Sequence, residues 1–263
     1  MAIAHGRIGS VSSDGFVWGV VAAAWGLALL LPAVGHGELG SHHVVLAGAN
    51  LPPASTLLLF LVAWQVMTGA MMLPSSLPMI QLFARVSHRQ PHPRRALTAF
   101  LAAYFAVWTG FAVVALAGDA GLHRLVDAWA GLGERPWLIA GSVLVLAGAF
   151  QFSPLKERCL DACRNPVQFL MRYYDRGVPA AWRLGVRHGL FCLGCCWALM
   201  LTMFAVGVGS LTWMAGLTGV MLIEKTARRG RRLMPAVGGA LLLWGSLLLL
   251  QPGWLPAALG GLR

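Results

Sequence analysis

Long apolar runs alternate with short arginine clusters along the 263-residue chain. The runs predict helices at 16–34, 54–73 with continuation toward Phe83, 96–117, 136–152, 190–206, 211–223 and 233–250. A helix needs roughly 20 apolar residues to cross about 30 Å of hydrocarbon, and the fourth and sixth runs are short against that measure. The stretch 190–223 is too long for one ordinary span. Its natural break is Gly207-Val208-Gly209-Ser210, because glycine weakens a helix interior. The expected fold class is therefore all-α. A single polytopic transmembrane bundle of about seven spans fills residues 1–263.

The polar stretches refine this reading. The longest, 153–189, opens with Ser153-Pro154, a serine cap followed by a first-turn proline, and reaches Asn165-Pro166, which should stop a helix. A short amphipathic helix at 154–164 is expected there, on the cytoplasmic surface. Counted by loop, 17 of the 20 Lys and Arg residues fall on one side of a seven-span chain and 3 on the other. Basic loops stay in the cytoplasm, so the N-terminus is placed inside and the C-terminus outside. The run after Phe16 lacks a small-residue cleavage site, so no cleavable signal is expected.

Composition agrees. Hydrophobic residues make up 58% of the chain and charged residues 11%, with mean hydropathy +0.70. Soluble domains carry about a quarter charged residues. The net charge of +11 would suggest nucleic acid in a soluble protein. Here it sits in short loops between apolar runs, so the partner is the lipid bilayer and not nucleic acid.

Candidate chemistry gathers in three blocks. In the first, His188, Cys192, Cys195, Cys196, Met200 and Met203 fall within about 80° of Cys192 when placed at 100° per residue on a helix. One face thus carries imidazole, thiols and thioethers, the soft donors that select Cu(I), or zinc where four converge. Any one of these residues alone would be ordinary core filling. In the second block, Cys159 and Cys163 share a helix face, and Lys156 one turn earlier is expected to lower a thiol pKa. In the third, Met67 and Met71 share a face, and Pro74 and Pro78 are expected to kink or break the helix. Adaptable apolar packing is an equal reading of those methionines. Glu224 and Lys225 are expected either to pair or to anchor a helix end, with Glu224 able to reach a basic loop. His36, His42, His43 and Glu38 read as solvated loop residues.

These blocks resemble a known family. W-x-x-M-x-x-x-M-M-x-P-x-x-x-P from Trp64, Q-x-S-P-x-K-x-x-C-L-x-x-C-x-x-P from Gln151, G-x-x-x-G-x-x-C-x-G-C-C-W-x-x-M from Gly185 and the closing Glu224-Lys225 are similar to the predicted metal-binding integral membrane proteins of bacteria and archaea. The resemblance spans roughly 60–225. It implies a multi-pass protein of the cell (inner) membrane with a metal-binding, copper-related role. It implies no definite reaction.

The preferred functional reading is Cu(I) handling as a chaperone, carrier or transporter. Methionines would offer a route at membrane depth, and Cys159, Cys163, Cys192, Cys195 and Cys196 would hold the ion. The partner would be a copper-dependent oxidase or a soluble copper carrier. One alternative is a thiol–disulfide oxidoreductase pairing Cys192 with Cys195 and Cys159 with Cys163. Another is a structural subunit with a zinc staple. The sequence holds no nucleotide loop, Ser/His/Asp array or paired buried carboxylates, so it assigns no enzymatic reaction.

Overall fold

The computed structural model describes residues 8–33, 52–133, 135–206 and 210–250. The outer histidines and the Gly207–Gly209 break lie outside these residues. Among the described residues there are nine helices of at least eight residues and no strand. They are α1 Ile8–Ala33, α2 Pro53–Ser87, α3 Pro93–Ala128, α4 Pro136–Phe150, α5 Pro154–Arg164, α6 Pro166–Tyr173, α7 Val178–Val206, α8 Leu211–Thr226 and α9 Leu233–Leu250. The fold is an all-α bundle, as expected.

Length and apolarity qualify four segments to cross a membrane: α2, α3, α7 and Gly230–Leu250. The α4–α5 pair qualifies only as one span bent by 63°. The apolar part of α1, Val17–Leu30, and the 16-residue α8 fall short of that measure. At 1.5 Å per residue α8 is only about 24 Å long. Among the described residues, then, four helices, or five with the bent pair, are long and apolar enough to cross a membrane, against the seven spans expected.

Helix α7 is central and packs against α3, α4 and α5, while α2 links α1, α3 and α8. Close approach depends on absent side chains. A Cβ at Gly148 would lie 2.8 Å from the Leu242 nitrogen, and one at Gly245 would lie 2.8 Å from the Gly141 carbonyl. With Gly141 and Gly238 these form a glycine seam between α4 and α9, the small-residue contact that lets membrane helices approach. A Cβ at Gly185 would lie 2.8 Å from Ala103 Cβ, so α7 meets α3 in the same way.

Two expectations change. Helix α2 runs unbroken through Pro74 and Pro78. Proline at 74 has no N–H for the Ala70 carbonyl one turn back. That carbonyl instead accepts a 3.1 Å hydrogen bond from Trp25 Nε1 on α1. The helix also starts earlier than expected in α7, at Val178 instead of residue 190. Arg183, Arg187 and His188 interrupt the apolar pattern there, but only locally. Arg187 turns outward and lies over the Tyr173 ring at 4.7 Å, while His188 turns inward.

The helix at 154–164 forms as expected. The Ser153 hydroxyl accepts from the Leu155 N–H at 3.2 Å, and Asn165 ends the helix. Pro166 then starts a further helix, α6, which the proline-as-stop reading missed. Nor does α5 merely lie on a surface, since Lys156, Cys159 and Leu160 are buried.

The three basic loops meet at one end of the bundle. The Gln90 amide donates to the Tyr174 hydroxyl at 3.0 Å, and Gly177 N–H donates to Gln90 Oε1 at 3.0 Å. Arg231 pairs with Glu157 and, at 3.0 Å, with Asp161. These contacts tie the 84–95 and 225–232 loops to the 153–189 segment.

Candidate metal centre

The sulfur stripe of α7 faces inward. Cys192, Cys195, Cys196, Met200 and Met203 are at most 1% exposed, while Leu193, Trp197 and Leu201 are half-buried at its flank. The glycine inside C-x-G-C-C has a packing reason. A Cβ at Gly194 would lie 2.6 Å from Cys159 Sγ, so glycine lets the α5 thiol rest on the α7 backbone.

Four helices converge on Cys192. Its Sγ lies 3.1 Å from the Tyr104 hydroxyl of α3 and 3.1 Å from Lys225 Nζ of α8. Lys225 also donates to Ser75 Oγ of α2 at 3.1 Å, and the Ser75 hydroxyl donates to the Met72 carbonyl at 2.9 Å. The Cys195 and Cys196 thiols donate back to the Cys192 carbonyl at 3.0 and 2.8 Å. Cys196 Sγ reaches Met72 Sδ at 3.7 Å, placing a thiol beside a thioether across two helices. Cys163 of α5 is partly buried against the same core.

A second group fixes this geometry. Lys156 Nζ and Glu224 Oε2 are 2.7 Å apart, both side chains buried. The Arg164 guanidinium donates to the carbonyls of Glu224 and, at 2.8 Å, Ala227, satisfying the open carbonyls at the α8 C-terminus. Glu224 and Lys225 therefore do not pair with one another. Neighbouring helix residues project about 100° apart, so one reaches α5 and the other the thiols. The expected influence of Lys156 on the cysteines is also corrected. Its Nζ is committed to the Glu224 carboxylate at 2.7 Å. The cation facing a thiol is Lys225.

His188 sits in an aromatic cage. Its ring stacks on Phe100 and Tyr104 at 5.7 and 5.5 Å and meets Phe169 edge-on at 5.9 Å. Nε2 is buried without a hydrogen-bond partner. Met67 and Met71 are buried in α2, at 3% and 0% exposure, as are the two prolines' flanking serines.

Tyr104, Ser75 and Met72 were not singled out by sequence reasoning. A hydroxyl within an apolar run was the available signal for Tyr104. For Met72 it was the adjacent methionine of the quoted M-M pair. Among the described residues, no three His, Cys, Asp or Glu side chains converge to hold an ion. The arrangement suits low coordination by soft donors, with an orphaned imidazole nitrogen nearby.

Thiols and thioethers are soft donors of the kind that Cu(I) prefers. The chain belongs to PpoB2, a family described as copper chaperone, whose match covers residues 61–248. The matched region contains every candidate residue named above. No curated protein and no solved structure matches the chain.

Proposed function

We propose that the protein is an integral membrane protein that takes up Cu(I) and passes it on. The observation that carries this reading is the buried meeting of the Cys196 thiol with the Met72 thioether at 3.7 Å, one turn from the buried Cys192, within a member of a copper-chaperone family. Thiolates bind Cu(I) more tightly than thioethers do, so Met67, Met71, Met200 and Met203 form a weaker approach and the cysteines a tighter holding site. Cys159 and Cys163 bring a second pair of thiols from α5. The recipient is a copper-dependent oxidase or a soluble copper carrier.

A closed zinc staple takes four converging donors, a demand that the described residues do not meet. The meeting of the three basic loops supports a cytoplasmic location for that end, where the thiols stay reduced. Reporter fusions near residues 90 and 230 should read cytoplasmic.

Metal content tests the function. The protein is expressed with copper and zinc both supplied, then purified in detergent under reducing conditions. Near-stoichiometric copper that falls away in Cys192→Ser and Cys196→Ser supports the reading. Zinc alone, or copper untouched by both substitutions, contradicts it.

A further inference from the structure

Among the described residues, the buried charged side chains are Lys156, Glu224 and Lys225. The first two neutralise one another at 2.7 Å. Lys225 Nζ donates to the Ser75 hydroxyl and to Cys192 Sγ, both at 3.1 Å, and neither is a carboxylate. A buried ammonium without counter-charge is costly. The interior beside Cys192 is therefore prepared for one negative charge.

The charge of a thiolate complex depends on the ion inside it. Two thiolates around a monovalent ion carry −1. Two around a divalent ion are neutral, and four carry −2. Three around a divalent ion would also carry −1, but no three His, Cys, Asp or Glu side chains converge among the described residues, so the two-thiolate monovalent complex is the one that matches a single ammonium. Met72, 3.7 Å from Cys196 Sγ, adds a soft donor without altering this balance, because a thioether is neutral. The lack of three converging His, Cys, Asp or Glu donors among the described residues fits the same low coordination.

We infer that Lys225 selects the charge of the bound ion, acting as counter-cation to a monovalent soft ion held by Cys192 and a second thiolate. As the ion enters, two thiols release two protons to solvent. The resulting anionic complex and the Lys225 ammonium are together neutral. A divalent ion held by the same two thiolates leaves the ammonium uncompensated. The inference rests on the copper-handling reading and adds the residue that sets the substrate's charge.

The test compares Ag(I), a monovalent probe free of redox chemistry, with Cd(II), a divalent thiophilic probe. Both are measured by equilibrium competition on the reduced, detergent-solubilised full chain. The wild type prefers Ag(I). Lys225→Met and Lys225→Gln, which drop the charge but keep the length, should lower the Ag(I)-over-Cd(II) ratio on the order of a hundredfold, the scale of one partly buried charge interaction. Lys225→Arg should retain the preference. An unchanged ratio in a neutral variant that still binds Ag(I) overturns the charge selection alone. The same holds if the arginine variant loses the preference as fully as the neutral ones. A wild type that binds neither ion overturns this inference together with the copper-handling reading.

Discussion

Lys156 and Glu224 form a buried ion pair across α5 and α8, 68 residues apart in sequence and 2.7 Å apart in space. The pair engages Glu224 with Lys156, while Lys225 contacts Cys192. Breaking it strands a charge in an apolar interior. Lys156→Met or Glu224→Gln alone should cost about 3–5 kcal/mol, while Lys156→Met with Glu224→Leu should cost much less than the two singles summed. Thermal unfolding in detergent checks this. Additive losses would mean that the two charges do not depend on each other.

Gly194 and Cys159 make a tighter steric pair. A methyl at 194 would meet Cys159 Sγ at 2.6 Å, so Gly194→Ala should destabilise by about 1–3 kcal/mol, the scale of core overpacking. Cys159→Gly removes the obstructing sulfur and should recover most of that loss when combined with Gly194→Ala. A double-mutant cycle on unfolding midpoints reads the coupling directly.

Trp25 holds the carbonyl that Pro74 leaves open. Trp25→Phe should lose about 1 kcal/mol for a buried carbonyl left without its donor. In a Pro74→Ala background a new N–H can take that carbonyl, and the penalty of Trp25→Phe should shrink. An equal penalty in both backgrounds would show that Trp25 contributes packing alone.

Met72 and Met67 are both buried, but only Met72 reaches a cysteine, at 3.7 Å from Cys196 Sγ. Met72→Leu conserves volume while removing the sulfur. It should lower Cu(I) affinity by about tenfold, a change of about 1.4 kcal/mol. Met67→Leu should leave affinity at the cysteines nearly unchanged and alter only uptake rate. Competition against a Cu(I) chelator separates the two.

Local chemistry was legible in the chain, and long-range pairing was not. Ser153 as cap and Asn165-Pro166 as stop fixed α5, because capping depends on neighbours within one turn. The inward stripe of Cys192, Cys196, Met200 and Met203 followed from helical spacing. The partner of Glu224 did not follow, since Lys156 and Lys225 are both credible and only tertiary packing chooses. Tyr104 and Ser75 reach the Lys225–Cys192 contact from α3 and α2, with Ser75 150 residues from Lys225. The absence of a break at Pro74 and Pro78 has a related cause. Trp25, 45 residues from Ala70, satisfies the open carbonyl and lets α2 continue. Polar residues ahead of residue 190 read as a loop in the sequence, but α7 begins at Val178, and Arg187 and His188, about 100° apart, simply fall on its exposed and buried sides.

The most direct measurement is copper K-edge X-ray absorption on the reduced, copper-loaded protein, alongside the Cys192→Ser/Cys196→Ser double variant. The account predicts monovalent copper in a sulfur-dominated, low-coordinate environment that disappears or gains oxygen or nitrogen ligands in the variant. A wild-type spectrum dominated by nitrogen and oxygen, or one that the double substitution leaves unchanged, would contradict it.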